Sequence, residues 1–456
     1  MEFRSMSIAR MRKDGVKNIF AFIIGLAILL VGFEVSHVLI EGVASSYFAS
    51  VFMLIGVYVV ARVTRLRDYI GSGGITLLLL LSAVIVVFNL VYSQLFVFAD
   101  YLAHGSGDVS IHPEHSLSYS QMSTISQVLG KGGSLEDLDY LNLNQYKWLY
   151  TYYSLMFTFG GNVVTHINVF NMFHLAVAAI FMVLTAVRLG VKERSTLALV
   201  LLVCLIQPVL DCLFAYHRDI VGQTALVVGM YLFVCTYKNN MLKFLVFPIY
   251  AALFYSFRLQ YLVVALLLFL WTLFRDNRRG SSFFIGIVVF LGVVLFIITQ
   301  MRTEIIMTFF LSDLNITDYV EMERLSFLGN IILGLIGFFP WTQLLVDPNW
   351  SYHVFAYLQG AMNITIIYYV LKTNWRRLSN IFVNPVLFTA VLLFVIAFFV
   401  AGHTTYVSVA MPLFAVGIKD VKYKRVLNTF LVLCVIYIVL SFLYNAMGLT
   451  GAGVLS

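Results

Sequence analysis

The sequence predicts an all-α polytopic integral membrane protein, with about 13 transmembrane helices, one re-entrant segment and a large early outer loop, forming a single transmembrane domain over residues 1–456. Three observations predict it. Hydrophobic residues make up 61% of the chain and charged residues 11%, less than half the roughly 25% of a soluble domain. Apolar runs near the ~20 residues needed to cross a bilayer recur along the whole chain. Lysines and arginines gather in the short connections between alternate runs. Such a composition excludes a soluble enzyme, a nucleic-acid-binding protein and a disordered scaffold, and a net charge of +7 is too thinly spread for a nucleic-acid patch.

The first helix is expected over residues 17–36. Basic residues precede it as in a secretory signal. Its apolar stretch is followed by Phe33 to Val43 before a small residue suited to cleavage, Ala44, so an uncleaved anchor is expected. Spans follow at 45–62 and 74–98, the second approached through Gly71, Gly73 and Gly74. Gly160-Gly161-Asn162 leads into the span 163–187, and 195–214 and 220–237 come next. A short pair at 242–256 and 259–274 precedes 281–300, and the chain closes with 354–371, 383–401, 405–419 and 426–446.

Charge decides the remaining apolar run, 326–345. An amino terminus carrying Arg4, Arg10, Arg12, Lys13 and Lys17 starts on the cytoplasmic side. If 326–345 crossed, Lys372, Arg376 and Arg377 would land outside; if it dips in and returns, they land inside, with Lys419, Lys422, Lys424 and Arg425. The re-entrant reading leaves only Lys131, Lys147, Arg218, Arg258, Arg302 and Arg324 of the 29 basic residues outside. It gives thirteen crossings and leaves the carboxyl terminus outside. The segment contains Gly329-Asn330 and Gly334-Leu335-Ile336-Gly337, and irregular backbone at that depth survives only where protein or a water-filled cavity satisfies it.

The four cysteines, Cys204, Cys212, Cys235 and Cys434, sit within apolar runs without CxxC spacing and read as core residues. No Walker or dinucleotide fingerprint is present, so neither an ATP-driven pump nor a nucleotide-sugar enzyme is supported. His112, Glu114 and His115 lack the i, i+4 histidine pair of a zincin, and Pro113 interrupts a helix there. No metal, haem or nucleotide cofactor is expected.

The outer connections carry the candidate chemistry. The longest, 99–146, opens with Asp100 where a span of uncharged residues ends; a carboxylate there can serve as a general base. His217-Arg218-Asp219 is held between two spans, and Arg258 is pinned between two short apolar runs. Ionisable groups so placed are functional candidates, and a guanidinium fork matches phosphate oxygens; snorkelling to lipid headgroups is the plainer account. Glu323 and Arg324 precede the re-entrant segment, and His403 lies in a tight outer turn as a second candidate base. Tyr101, Trp148, Tyr150 and Trp341 are candidate sugar platforms, although the run Tyr146, Trp148, Tyr150, Tyr152, Tyr153 also reads as an interfacial aromatic belt.

The order of these features resembles the polytopic bacterial polymerases that join O-antigen or capsule repeat units, and the related C-type membrane glycosyltransferases. The similar elements are Asp100-Tyr101 opening the large loop, Phe170-Asn171 early in the span leading to Gly190-Val191-Lys192, and Arg218-Asp219 opening a span after Pro208. Arg258 after a short apolar helix and Phe339-Pro340-Trp341 complete the pattern, over residues 95–345. The resemblance implies glycosyl transfer outside the cytoplasmic membrane from a polyprenyl-diphosphate-linked oligosaccharide, a chain-length regulator as a partner, and no nucleic acid. It implies Arg218 and Arg258 on the diphosphate; His217 and Arg324 are added as candidates from their positions, and Asp100, or else His403, stays the candidate base from its place at the outer boundary. Two other readings stay open: a C-type enzyme adding one sugar from a polyprenyl-phosphate donor, and a transporter or flippase of lipid-linked glycans. Against the last, ionisable residues gather at the outer boundary rather than at mid-membrane.

Overall fold

The structure is a computed structural model. It describes residues 2–92, 147–161, 165–212, 219–257, 259–274, 350–374, 384–399, 404–418 and 423–446, with 124, 125, 127, 128, 163 and 421 between them. All regular structure among the described residues is helical, and the chain is an α-helical, multi-pass membrane protein. Among the described residues, four helical stretches are long and apolar enough to cross a bilayer: Gly15–Leu39, Ala44–Val63, Leu66–Val91 and His166–Arg188. The chain divides into two compact units, Met1–Leu259 with Lys419–Tyr423, and Gln260–Ile418 with Lys424–Ser456.

Unit 1 contains α1 (Glu2–Leu39), α2 (Ala44–Val63), α3 (Leu66–Tyr92), α4 (Lys147–Gly160), α5 (His166–Arg188), α6 (Arg194–Cys212), α7 (Asp219–Thr236) and α8 (Asn240–Phe257). Helix α5 is its axis. Every residue from His166 to Ala186 is buried, and α2, α3, α6 and α7 pack around it. A helix apolar on all sides belongs at the centre of a bundle. Helix α3 shows the opposite case: Leu66, Ile70, Gly74, Leu78, Ser82, Val86 and Leu90 form one buried seam at four-residue spacing. Leu80, Val84, Val87 and Phe88 lie on its exposed side, the face a peripheral membrane helix turns to lipid.

Lipid is as apolar as leucine, so close packing rather than water exclusion holds such helices together. On α2 most of the buried residues are small, Ser45, Ser46, Ala49, Ser50, Gly56 and Ala61 beside Met53, Val57 and Val60. The approach is closest at two glycines. A Cβ on Gly56 would stand 2.7 Å from the Gly25 carbonyl oxygen, and one on Gly25 would stand 2.5 Å from Val60 Cγ2.

Local chemistry sets the helix ends. Gly71 has φ 75° and ψ 177°, a conformation essentially restricted to glycine, and it breaks the helical run of α3 near its start. The span expected from residue 74 therefore starts as helix at Leu66, with the glycines inside it rather than before it. Gly190, at φ 93°, closes α5: the Val191 N–H donates to the Ala186 carbonyl across it, satisfying an acceptor at the helix end. The Asn239 side chain caps α8 by accepting from the Met241 and Leu242 N–H groups at 3.1 Å.

Helix α4 was not expected from the sequence, where residues 146–153 read as an interfacial run before the fourth span. Leu149, Tyr150, Tyr153, Ser154, Met156, Phe157 and Gly160 are buried, a helical stripe at three- and four-residue spacing. Gly160 packs against His166 and Phe33, whereas Tyr153 and Tyr152 reach Asn171 and His174. The helix thus runs antiparallel to the first turns of α5, and its Lys147 end lies deeper than its Gly160 end. At 1.5 Å per residue its length is about 21 Å, short of a ~30 Å hydrocarbon core.

Unit 2 contains α9 (Leu259–Phe274), α10 (Trp350–Asn374), α11 (Pro385–Phe399), α12 (Thr404–Ala415) and α13 (Tyr423–Ala446). Ala361 of α10 packs with Cys434 and Tyr437 of α13. Further along, Tyr369 donates to the Arg425 carbonyl at 3.0 Å and lies 2.9 Å from the Thr429 hydroxyl. Asn374 donates to the Gly417 carbonyl at 3.1 Å, binding the end of α10 to the turn after α12. Asn384 caps α11 through the Val386 N–H. The expected span 281–300 and the re-entrant segment 326–345 lie outside the described residues.

Candidate functional site

Unit 1 has two chemically distinct ends. Asn18 Nδ2 donates to Tyr231 at 2.7 Å, Phe22 packs on Phe173 and Phe181, and Phe33 packs on His166, so α5 and α7 run opposite to α1. Lys17, the α2–α3 turn (Arg62, Arg65, Arg67), the α5–α6 turn (Arg188, Lys192, Arg194) and the α7–α8 turn (Lys238, Lys243) therefore share one end. At the opposite end the described side chains include Glu34, His37 and Glu41 and no lysine or arginine.

That second end holds a chain of polar contacts. Ser46 Oγ and Thr165 Oγ1 are 2.7 Å apart, joining α2 to the start of α5. Ser45 gives its hydroxyl hydrogen to the Gly42 carbonyl at 2.6 Å, so His166 Nε2, 3.1 Å from Ser45 Oγ, is the donor in that contact. Gly161 has φ 62°, and the His37 ring occupies the space its Cβ would fill, which leaves glycine as the only residue that suits the α4–α5 turn.

Deeper along α5 two tyrosines of α4 donate to two polar residues. Tyr153 donates to Asn171 Oδ1 at 2.5 Å. Tyr152 lies 2.7 Å from His174 Nε2, while His174 Nδ1 lies 2.7 Å from the Phe170 carbonyl. A carbonyl only accepts, so Nδ1 carries the proton; in the neutral ring Nε2 is then the acceptor for the Tyr152 hydroxyl. The Thr224 hydroxyl of α7 approaches the His174 carbonyl at 3.0 Å. Rings of Phe22, Phe170 and Phe173 surround the imidazole, with Phe170 nearest at 4.4 Å between centroids. His174 is 1% exposed and sits about 12 Å from the start of α5.

Most residues singled out in the sequence are not among the described ones. Asp100, Tyr101, His217, Arg218, Arg258, Arg324, Trp341 and His403 lie outside the described residues, as do His112, Glu114 and His115. Trp148 belongs to α4. Tyr150 is buried at 2% exposed, a core residue of α4 rather than an open platform. Helices α7 and α8 form an antiparallel pair, Gly229 packing on Phe254 and Phe233 on Tyr250. The first residue of α7, Asp219, and the last of α8, Phe257, thus lie at the non-basic end; Arg218 and Arg258 are their neighbours in sequence.

Sequence reasoning passed over His174, Asn171 as a polar partner, and the Tyr152–Tyr153 pair. The signal was present: an ionisable residue inside an apolar span is a functional candidate by default. Compared with protein-family models, curated proteins and solved structures, the chain matches none.

Proposed function

We propose that the protein is a membrane glycosyltransferase that polymerises polyprenyl-diphosphate-linked oligosaccharide repeat units at the outer face of a bacterial inner membrane. The observation that carries the reading is the asymmetry of unit 1. Its described basic turns share one end, which the positive-inside rule assigns to the cytoplasm. Its uncharged polar network lies toward the other, and there α7 and α8 present the helix ends adjoining Arg218 and Arg258. The substrate's lipid tail stays in the bilayer while its diphosphate sits at the interface, where a guanidinium is at home.

In this reading Arg258 and Arg218, assisted by His217, hold the diphosphate and offset the negative charge that builds on it as the glycosidic bond forms. Roles for Arg324 on the diphosphate, for Asp100 or His403 as base and for Tyr101, Trp148 and Trp341 as sugar platforms follow from residue type and position in the sequence. The test is extension of lipid-linked oligosaccharide, extracted from cells lacking the protein, by purified protein in detergent. Wild-type protein lengthens the glycan, and Arg258→Ala slows the reaction at least about 100-fold, the scale of one lost charge-stabilising donor. Addition of one sugar without polymerisation would favour the C-type reading instead, and movement across a vesicle membrane without lengthening would favour a transporter.

A further inference from the structure

We propose that α3 is a lateral gate, hinged at residues 71–74, whose outer part swings away from α5 and α6 to admit a lipid-linked substrate from the bilayer. The inference rests on the reading above only in taking that substrate to carry a polyprenyl diphosphate.

The foot of α3 is fixed. Leu66 is fully buried and Ile70 nearly so, and the Asp68 N–H donates to the Arg65 carbonyl at 3.0 Å across the α2–α3 turn. Thr64, at the end of α2, donates to the Val60 carbonyl at 2.8 Å. The helical run then breaks at Gly71. The three glycines there have different reasons to be glycine. Gly71 needs its φ of 75°, and Gly74 lies against Ile70, where a Cβ would stand 2.6 Å from Cγ1. Gly73 has neither constraint: nothing stands within 4 Å of its would-be Cβ, and its φ is not positive. What Gly73 supplies is flexibility, since glycine weakens a helix relative to alanine and Gly/Ser runs are where helices bend.

Above the break α3 continues to Tyr92, about 30 Å at 1.5 Å per residue. A turn of about 15° at the hinge carries that end about 8 Å, close to the spacing of packed helices. On the exposed side Leu80, Val84, Val87 and Phe88 face lipid, so the swing displaces fluid hydrocarbon. The other side is a seam that closes imperfectly. Ser82 Oγ and Asn89 Oδ1 are buried in it without a hydrogen-bond partner. Seven residues apart, they stand on one stripe of the helix. Polar atoms left unpaired away from water disfavour the closed seam, and in a bilayer packing is what holds it shut. Asn89 lies within one turn of the outer end of α3. Parting of that end frees its oxygen to accept from a sugar hydroxyl at the interface.

Double electron–electron resonance tests the gate. Nitroxides replace Val38 and Val91, exposed residues at the outer ends of α1 and α3, in full-length protein without native cysteines, held in nanodiscs. Besides the main separation, the wild type shows a second one about 5 Å or more away, whose share rises when undecaprenyl diphosphate is added. Gly73→Ala, which stiffens the hinge, lowers that share about 3-fold, and Ser82→Ala, which removes an unpaired hydroxyl from the seam, lowers it too. A single separation that the lipid leaves unchanged would overturn the gate, as would a Gly73→Ala distribution identical to wild type. In the extension assay Gly73→Ala is more heat-stable and lengthens the glycan about 3-fold more slowly per folded protein. Unchanged extension by that stiffened variant would also count against the hinge. Wild-type protein that shows both separations yet never lengthens the glycan would overturn the transferase reading and leave the gate standing.

Discussion

At the residue scale, the glycines separate into those that make contacts possible and those that do not. Gly56 lets α2 approach the α1 backbone, and a Cβ there meets a carbonyl oxygen that cannot swing away. Gly56→Ala therefore destabilises the protein by about 1–3 kcal/mol, as overpacking does. Gly73 has nothing within 4 Å of its would-be Cβ and no left-handed φ, so Gly73→Ala stabilises α3 by about 0.5–1 kcal/mol. Thermal unfolding in detergent reads both, and equal shifts of the same sign would refute the distinction. Little of this was visible in the sequence. Gly56 and Gly73 both stand within or beside apolar runs, and only the neighbour across the helix interface tells them apart.

At the scale of the element, α4 is the main departure from the sequence reading. The expectation of a loop ending in an aromatic belt followed from tyrosine and tryptophan preferring interfaces. The same residues also obey a helical period, and packing on α1 and α5 decides between the two, α5 offering hydrogen-bond acceptors for the Tyr152 and Tyr153 hydroxyls. Depth is the testable consequence. In a background without native cysteines, a cysteine at Phe159, near the Gly160 end, reacts with a membrane-impermeant maleimide, and one at Thr151 does not. Equal labelling at Thr151 would put the deep end of α4 in water. Of the thirteen spans expected, all but 281–300 correspond to a described helix; the start of α3 moves from residue 74 to Leu66, whereas the ends set by Asn239, Asn384 and Gly190 fall within two residues of expectation. Caps and left-handed glycines act through backbone geometry, which hydropathy does not report.

For the whole molecule, sidedness is the property that the functional reading needs. A cysteine replacing Glu41 is labelled on intact spheroplasts, whereas one replacing Lys192 is labelled only after permeabilisation. The reverse pattern would move the polar network of unit 1 to the cytosol and remove the proposed site for an outer-face transferase. The alternation of basic turns was legible because lysine and arginine are costly to translocate, and that cost acts on each connection whatever the helices later touch. The candidate site was only partly legible. Arg218, Arg258 and Asp100 stood out by charge in an apolar chain, but the residues that meet inside unit 1 are neutral and separated in sequence.

The amino-acid sequence by itself determined that this protein lives in a bilayer, where its long apolar helices fall and which connections carry positive charge, because transfer free energy is summed locally along the chain. Only the tertiary structure decided that α5 is the buried axis of unit 1 and that α4 lies along it from within. It also decided that Tyr152 and His174 face one another, since partners 22 residues apart in sequence are chosen by packing and by the need to satisfy polar groups where no water is available.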